Sequence, residues 1–253
     1  MDKFPYITAV VSAAGKGERM GWHRNKLLIP LDNICILERT LMALVAVEEI
    51  RSYVIVIRPE DREEIELGIL PRVFGRVRDH VILAPGGPSR KDSIWNGLLA
   101  LPDRTDLVLY HDGARPFVTP EVIRRTIRGL LESRVDGSIC VVPVKDTVKV
   151  INDDRNVVTT PNREKLVAVQ TPQVFHRESI LRAYRNAREE DISATDDAQI
   201  VELAGGKIRT VRGDYENIKI TTREDLLIGE LIIKKRLDDR QESVLQPETV
   251  KQN

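Results

Sequence analysis

The segment from Ile7 to Lys26 reads ITAVVSAAGKGERMGWHRNK. Its β-branched apolar start is too short for an amphipathic helix and is interrupted by glycine, which predicts a buried strand that enters a tight turn. Gly15 and Gly17 in that turn let backbone N–H groups approach a polyanion without a Cβ in the way. Arg19 and Lys26 add two positive charges, a planar guanidinium with a fork of N–H donors and a compact ammonium group. The segment therefore predicts a loop that binds a triphosphate.

Three kinds of phosphate-binding loop compete for this segment with an ordinary βα turn. In a P-loop, the second glycine follows the first at a fixed interval and is itself followed by Lys and then Ser or Thr. Here the interval from Gly15 to Gly21 is wrong, and Gly21 is followed by Trp22 and His23. A dinucleotide-binding fingerprint needs a small residue at Met20. The spacing G-x-G-x-R-M…K is similar to the loop of nucleotidyltransferases with a Rossmann-like sheet. The segment favours that loop, and a plain turn with two surface cations stays open.

Composition excludes several classes of protein. The chain has 253 residues, with 39 Lys+Arg and 39 Asp+Glu, so it lacks the basic excess of a nonspecific nucleic-acid binder. Cys35 and Cys140 lie in apolar runs, which indicates reduced, buried thiols, and their spacing from the histidines indicates no zinc site. Without a signal peptide or a membrane-length apolar run, the sequence predicts a cytoplasmic protein that does not bind membranes or nucleic acid.

Strand-like and helix-like segments alternate along the chain. The predicted strands are Ile7–Val11, Tyr53–Ile57, Val81–Leu83, Leu107–Tyr110, Gly137–Val142, Ile208–Val211 and Ile218–Ile220. The predicted helices are Leu37–Val47, Glu60–Leu70, Ser93–Leu101, Pro120–Ser133, Ile180–Arg188, Thr195–Leu203 and Leu226–Leu237, the last opened by a Thr221–Glu224 capping box. This alternation predicts an α/β fold, with a Rossmann-like, mostly parallel sheet covered by helices on both faces.

The alternation breaks between residues 145 and 172. Val148–Ile151 and Val157–Thr160 are joined by Asn152-Asp153-Asp154-Arg155-Asn156, which is turn chemistry and predicts an inserted β-hairpin arm. Its apolar faces indicate that the arm folds back or completes a homodimer, and we favour the homodimer. We expect residues 1–235 to form one domain and residues 236–253 to be a polar, disordered tail.

Leu107–Pro116, LVLYHDGARP, is a second segment with candidate functional residues. An apolar strand places Asp112 and Arg115 at its carboxyl end, where open α/β sheets bind ligands. Asp112 suits a magnesium ion and Arg115 suits a phosphate, although a structural Asp–Arg pair is equally compatible. His111 is given no role. Gly86-Gly87 precedes a helix N-terminus that could bind an anion or a base edge, with Ser93 as a possible N-cap.

Six motifs occur along the chain in a characteristic order. They are Ala13-Ala14-Gly15-x-Gly17-x-Arg19-Met20, His111-Asp112-Gly113-Ala114-Arg115-Pro116, Asp146-Thr147, Gln170-Thr171-Pro172-Gln173, Thr195-Asp196-Asp197-Ala198 and Asn217-Ile218-Lys219-Ile220-Thr221. Together they resemble the 2-C-methyl-D-erythritol 4-phosphate cytidylyltransferases of the non-mevalonate isoprenoid pathway, over roughly Ile7 to Leu231. The resemblance implies a transferase that couples CTP with methylerythritol phosphate and releases pyrophosphate, with magnesium as cofactor.

The resemblance also implies roles for particular residues. The nucleotide would be bound by Ala13, Ala14, Gly15, Gly17, Gly87, Ser93 and Gly113. Arg19 and Lys26 would bind the triphosphate and stabilise the transition state, and Asp112 would face the metal. Methylerythritol phosphate would be bound by Arg115 and Lys219, and by Thr147 and Arg163 from the partner's arm. Its phosphate is already ionised near neutral pH, so the reaction needs no general base.

Other functions stay open at this point. A ribitol 5-phosphate cytidylyltransferase is similar in the first loop and in Gln170–Gln173, and no residue chemistry separates the two polyols. An NAD-dependent dehydrogenase is disfavoured by Met20. A nucleotide-binding regulator without catalysis is disfavoured by the intact set of Arg19, Lys26, Asp112 and Lys219. Leu27 and Pro88 depart from residues common in the family.

Overall fold

A computed structural model describes residues 4–15, 25–75 and 80–245 of the chain. The central element is a sheet of seven strands in the order β11-β7-β10-β6-β1-β4-β5. Its strands are β1 (Ile7–Ala13), β4 (Ile50–Ile57), β5 (Val81–Pro85), β6 (Leu107–Asp112), β7 (Gly137–Pro143), β10 (Val167–His176) and β11 (Ile208–Arg212). Only β10 runs antiparallel to its neighbours in this sheet. The prediction of a mostly parallel α/β sheet is confirmed.

Helices cover both faces of this sheet. They are α1 (Ile36–Val45), α2 (Leu70–Phe74), α3 (Arg90–Leu99), α4 (Pro120–Leu131), α5 (Arg177–Glu189), α6 (Asp197–Leu203) and α7 (Arg223–Leu245). Alternate β1 residues face opposite sides, so Val11 packs with α1, α2, α4 and α7, whereas Val10 packs with α3, α5 and α6. The near-continuous apolar run of β1 follows from this burial on both faces.

Local chemistry explains where individual helices begin. The side chain of Thr119 accepts a hydrogen bond from the Val122 N–H, and Pro120 occupies the first turn of α4. The sequence periodicity places Ile123, Ile127, Leu130 and Leu131 on one face of α4. The first three are buried, whereas Leu131, the last residue of the helix, is exposed. No helix among the described residues combines the length and the apolar character needed to span a membrane.

The predicted hairpin arm is present but short. β8 (Val150–Ile151) pairs antiparallel with β9 (Val157–Thr159), and Asn152 closes the turn by accepting a hydrogen bond from the Asn156 N–H at 2.9 Å. The apolar side chains of both strands are exposed on this chain. A second small hairpin, β2 (Pro30–Leu31) with β3 (Ile34–Cys35), was not predicted.

Three sequence expectations differ from the structure. β10 was not predicted as a strand because Pro172 interrupts its apolar pattern, and its pairing with β7 changes register between Val169 and Gln173. Residues 218–220 form no strand, although Ile220 is buried in the core. The helix α7 extends through residues 236–245, which the sequence predicts as part of a tail, because the Arg, Leu, Gln and Glu residues of this part are good helix formers.

The start of α7 also differs in detail. Its capping box uses Thr222 and Asp225, one position later than the Thr221–Glu224 box expected from the sequence. Asp225 Oδ2 accepts hydrogen bonds from the N–H groups of Thr221 and Thr222, and Thr222 Oγ1 accepts one from the Asp225 N–H. Because the helix begins at Arg223, Asp225 occupies the third position that a capping box requires.

Candidate active site

The carboxyl ends of β1 and β6 meet at one edge of the sheet, where Ser12 lies opposite Asp112. There they border a cleft of about 550 Å³. One wall is formed by Ser12, Ala14, Gly15, Lys26, Leu27, Tyr110, Asp112 and Ala114, and the other by Gly87–Arg90, Ser93 and Ile94. Lys219 and Thr221 also line the cleft. The position agrees with the ligand sites of open α/β sheets, which lie beyond the carboxyl ends of the strands.

Among the described residues that line the cleft, Asp112 is the only one with a carboxylate side chain. Its Oδ2 lies 2.9 Å from Lys219 Nζ and 3.6 Å from Arg115 Nε. Burial alone would raise the pKa of Asp112, but the charges of Lys219 and Arg115 and the hydroxyl of Tyr110 outweigh it and hold that pKa well below its usual range. Asp112 is therefore ionised throughout the neutral pH range.

Arg115 is positioned by the backbone of the segment that carries Lys219. Its Nη1 donates to the carbonyl of Asn217 at 2.7 Å, whereas its buried Nε makes no hydrogen bond within the described part of the chain. Asn217 is in turn fixed by the carbonyl of Thr171 on β10, to which its amide donates at 2.8 Å. Arg115 and Lys219 thus converge on one point and together offer two cations to an anionic group.

Lys26 joins the first loop to the same C-terminal segment. It opens a short 3₁₀ turn, Lys26–Leu28, which is capped by Asn25. Asn25 is buried and donates to the carbonyl of Ala13 at 3.1 Å, which fixes the turn to the end of β1. Lys26 Nζ lines the cleft and donates to the carbonyl of Ile220 at 2.8 Å.

The opposite wall is built around the N-terminus of α3. Ser89 is its N-cap, because its hydroxyl accepts a hydrogen bond from the Asp92 N–H. Ser93 therefore does not have the capping role considered from the sequence; its hydroxyl accepts from the Gly87 N–H at 2.9 Å and donates to the carbonyl of Ser89. A Cβ on Gly87 would lie 2.4 Å from Cβ of Asp92, so this close approach requires glycine.

His111 is buried beneath Asp112. The hydroxyl of Thr171 accepts the Asp112 N–H at 3.0 Å and lies 3.0 Å from Nδ1 of His111, and Nε2 of His111 lies 3.2 Å from the Arg115 carbonyl. The Arg115 carbonyl can only accept, so Nε2 of the neutral His111 ring carries the proton. Nδ1 is then unprotonated and accepts a hydrogen bond from the Thr171 hydroxyl. Burial lowers the pKa of His111 to about 4. The ring is thus a neutral structural bridge.

Comparisons with known proteins agree on one family. The chain matches the family described as IspD, 2-C-methyl-D-erythritol 4-phosphate cytidylyltransferase, over residues 7–235. An enzyme of that name from Desulforamulus reducens is 45% identical over 231 residues, covering 91% of this chain and 97% of its own. The chain belongs to this family. Its reaction couples CTP with 2-C-methyl-D-erythritol 4-phosphate and gives 4-diphosphocytidyl-2-C-methyl-D-erythritol and pyrophosphate.

Two further proteins support the assignment. An enzyme of the same name from Alkaliphilus metalliredigens is 44% identical, covering 93% of this chain and 96% of its own. The crystal structure of 4-diphosphocytidyl-2C-methyl-D-erythritol synthase from Anaerococcus prevotii superposes with a TM-score of 0.81 at 35% identity, covering 92% of this chain and 100% of that one. The resemblance stated from the six motifs is confirmed, which sets aside the ribitol phosphate, dehydrogenase and regulator alternatives.

The structure brings together part of the site expected for a member of this family. Ala14, Gly15, Gly87, Ser93, Lys26, Asp112 and Lys219 line one cleft, and Arg115 contacts Asp112 beside it. Ala13 and Gly113 are buried beneath the cleft. Thr147 and Arg163 lie exposed at the arm, where Arg163 donates to the carbonyl of Lys145 at 2.7 Å. Gly17 and Arg19 lie outside the described residues.

Ser12, Tyr110 and Arg90 are among the cleft residues that were not predicted from the sequence. Tyr110 is the last residue of the predicted strand Leu107–Tyr110 and was treated as part of it, whereas Ser12 follows the predicted strand Ile7–Val11 and was given no role. Arg90 lies in a polar run, but it pairs with buried Asp197 at 2.5 Å and stacks 5.3 Å from the centre of the Tyr110 ring. Strand periodicity was the available signal, because Tyr110 and Asp112 lie two residues apart and therefore share one face.

Proposed function

We propose that this cleft carries out the family's reaction with Asp112, Lys219, Arg115 and Lys26 as its principal charged groups. The observation that carries the proposal is the convergence of Lys219 and Arg115 on Asp112 Oδ2, in a cleft that Lys26 also lines. A phosphate oxygen of methylerythritol phosphate attacks the α-phosphorus of CTP, and the bond from that phosphorus to the bridging oxygen breaks. Pyrophosphate leaves with the bonding electron pair.

The nucleotide lies between the two walls of the cleft. Main-chain groups of Ala14 and Gly15 face it from one side, and the Gly87–Ser93 segment faces it from the other. Because Ser93 holds the Gly87 N–H, the loop before α3 is preorganised for a base edge. Lys26, with Arg19, binds the triphosphate and meets the charge that develops as pyrophosphate departs.

The cleft fits a magnesium ion held largely by the substrate. Within residues 4–15, 25–75 and 80–245, no cluster of three or more His, Cys, Asp or Glu side chains could bind a metal. Asp112 alone offers carboxylate oxygens here, and Mg²⁺ is commonly bound by one or two carboxylates together with phosphate oxygens and water. Asp112 would hold the ion, which when bound would neutralise charge on the triphosphate.

The acceptor phosphate is placed by Lys219 and Arg115. The buried Nε of Arg115 lacks a hydrogen-bond acceptor in the described chain, which a phosphate oxygen would supply. No general base is required, because the acceptor phosphate is already ionised. The neutral His111 agrees with this mechanism, since both of its ring nitrogens are occupied by Thr171 and the Arg115 carbonyl.

The arm completes the acceptor site across a homodimer. Thr147 and Arg163 lie on an arm whose Ile151, Val157 and Val158 are 49%, 60% and 64% exposed, which is an unusual apolar surface for a monomer. We expect this arm to reach the cleft of a second copy. An active monomer at assay concentration in sedimentation velocity would refute the dimer. A cytoplasmic location stays a prediction.

Pyrophosphate release tests the proposed roles. Wild-type protein, Lys26→Ala and Asp112→Asn would be assayed with CTP and Mg²⁺, using methylerythritol 4-phosphate or ribitol 5-phosphate as acceptor. We expect release with the first acceptor only, and a loss of roughly 10³-fold or more in either variant because transition-state charge is left uncompensated. Exposed Lys207→Ala, just before the amino end of β11 and not among the residues that line the cleft, is the charge-loss control. Full activity in both cleft variants would contradict the assignment.

A further inference from the structure

Tyr110 is buried in β6 directly below the cleft, two residues before Asp112. Residues two apart on a strand point to the same face, so the Tyr110 ring and the Asp112 carboxylate lie on one side of the sheet. The neighbouring strand β1 pairs Val10 with Tyr110 and Ser12 with Asp112, which places Ser12 on that face as well. The register of two parallel strands therefore brings a phenol, a hydroxyl and a carboxylate together.

These three groups lie within hydrogen-bond distance of one another. The Tyr110 hydroxyl donates to Asp112 Oδ1 at 2.9 Å and lies 2.9 Å from Ser12 Oγ, which is itself 3.3 Å from the same Oδ1. The other oxygen, Oδ2, faces the cations Lys219 and Arg115. The carboxylate thus has one oxygen held by neutral hydroxyls of the core and one turned towards the charged groups of the cleft.

The Tyr110 ring is fixed by its surroundings. It packs in the core cluster that contains Val10, Val108 and Phe175, and the Arg90 guanidinium lies 5.3 Å from its centre. An ionised carboxylate only accepts hydrogen bonds, so the Tyr110 hydroxyl is the donor in its contact with Asp112. A donor on a rigid ring sets the plane of the carboxylate more strictly than solvent would.

We propose that Tyr110 is a positioning residue for the cytidylyl transfer, with Ser12 as its partner. By holding Oδ1 of Asp112, the two hydroxyls keep the carboxylate plane fixed and leave Oδ2 facing Lys219, so that the carboxylate would be oriented to hold a magnesium ion when one binds. This inference rests on the proposed function of Asp112. It goes beyond the charged set, because neither hydroxyl contributes a charge or is required to contact a substrate.

Tyr110→Phe tests the inference, since it removes the hydroxyl and keeps the ring and its stacking on Arg90. Because the variant loses a hydrogen bond to a charged group in a preorganised site, we expect kcat to fall roughly tenfold to hundredfold. The KM for CTP should change less than about threefold. The affinity for Mn²⁺ should also fall about tenfold. It would be measured by electron paramagnetic resonance with CTP present and the acceptor absent. Ser12→Ala should give a smaller loss of the same kind.

Controls separate positioning from a purely structural role. Tyr184→Phe removes another buried tyrosine hydroxyl, one that donates to Asp197 and not to Asp112, and should lower the melting temperature without changing kcat. In an Asp112→Asn background, Tyr110→Phe should cause less than a twofold further loss of kcat, because its effect acts through that carboxylate. A loss of the same size in both backgrounds would overturn the inference.

The outcomes also separate this inference from the proposed function. If Asp112→Asn retains wild-type turnover, the proposed role of Asp112 is wrong and the inference is wrong with it. If Asp112→Asn loses turnover as expected while Tyr110→Phe and Ser12→Ala keep the wild-type kcat and Mn²⁺ affinity, only the inference is wrong. Should Tyr110→Phe fail to fold, Ser12→Ala decides the matter, because a wild-type result there would refute the shared hydroxyl network.

Discussion

Replacing His111 with glutamine should make folding less sensitive to acid. His111 is fully buried, and burial lowers its pKa from 6.5 to about 4. Between those two pH values the unfolded chain binds a proton at this residue and the native chain does not. The free energy of unfolding therefore falls as the pH drops from 6.5 towards 4, and this contribution does not change above 6.5 or below 4.

The size of the effect follows from the same two pKa values. At about 1.4 kcal/mol per pH unit, the interval between them corresponds to about 3 kcal/mol of unfolding free energy. This is a large part of the stability of an ordinary domain. The variant begins from a lower stability at pH 7.5 because it loses the hydrogen bond between Nδ1 and Thr171, so the informative quantity is the slope with pH and not the absolute value.

Urea unfolding between pH 7.5 and 4, at one protein concentration, measures this slope. Over that interval, the unfolding free energy of His111→Gln should fall by about 3 kcal/mol less than that of the wild type. His176→Gln is the matched control for the loss of an imidazole, because His176 is exposed at the end of β10. Parallel curves for His111→Gln and wild type would refute the assignment of a buried, neutral imidazole.

Other predictions follow from the cleft and the helix termini. Gly87→Ala should raise KM for CTP roughly tenfold, because its Cβ would meet Asp92 at 2.4 Å, whereas Gly68→Ala, with open space around the added Cβ, should not. Lys219→Met should lower kcat/KM for methylerythritol phosphate at least about 100-fold and leave KM for CTP within about threefold, as steady-state kinetics would show. Thr119→Ala should lower the unfolding free energy by about 1 kcal/mol through loss of the α4 cap, with kcat unchanged.

The sequence predicted the fold where the local pattern and the tertiary structure agree. β1, β4 and β6 are buried on both faces and appear as apolar runs, and α4 shows both a cap and a helical period. β10 was missed because its apolar pattern contains Pro172 and polar Gln170 and Thr171, which are buried by contacts with distant segments. Residues 218–220 have a strand-like composition, yet Ile220 packs under the cleft without pairing in the sheet.

The charged side chains of the site could be predicted from the sequence. Asp112, Arg115, Lys26 and Lys219 were predicted from type and motif, and their convergence depended on tertiary structure. Strand periodicity places Tyr110 on the same face as Asp112, but the contact of both residues with Ser12 depends on the β1–β6 register, which no local pattern shows. The positions of Gly17 and Arg19 stay predictions.

The wide separation in sequence of the groups around Asp112 has a consequence for how activity returns during refolding. Tyr110 reaches Ser12 across 98 residues, Asp112 reaches Thr171 across 59, and Lys26 reaches Ile220 across 194. Loops of this length close slowly, because chain entropy is lost before the contacts compensate for it. Substrate turnover should therefore recover only after far-ultraviolet circular dichroism has reached its native value, so that enzyme activity reports the final stage of folding.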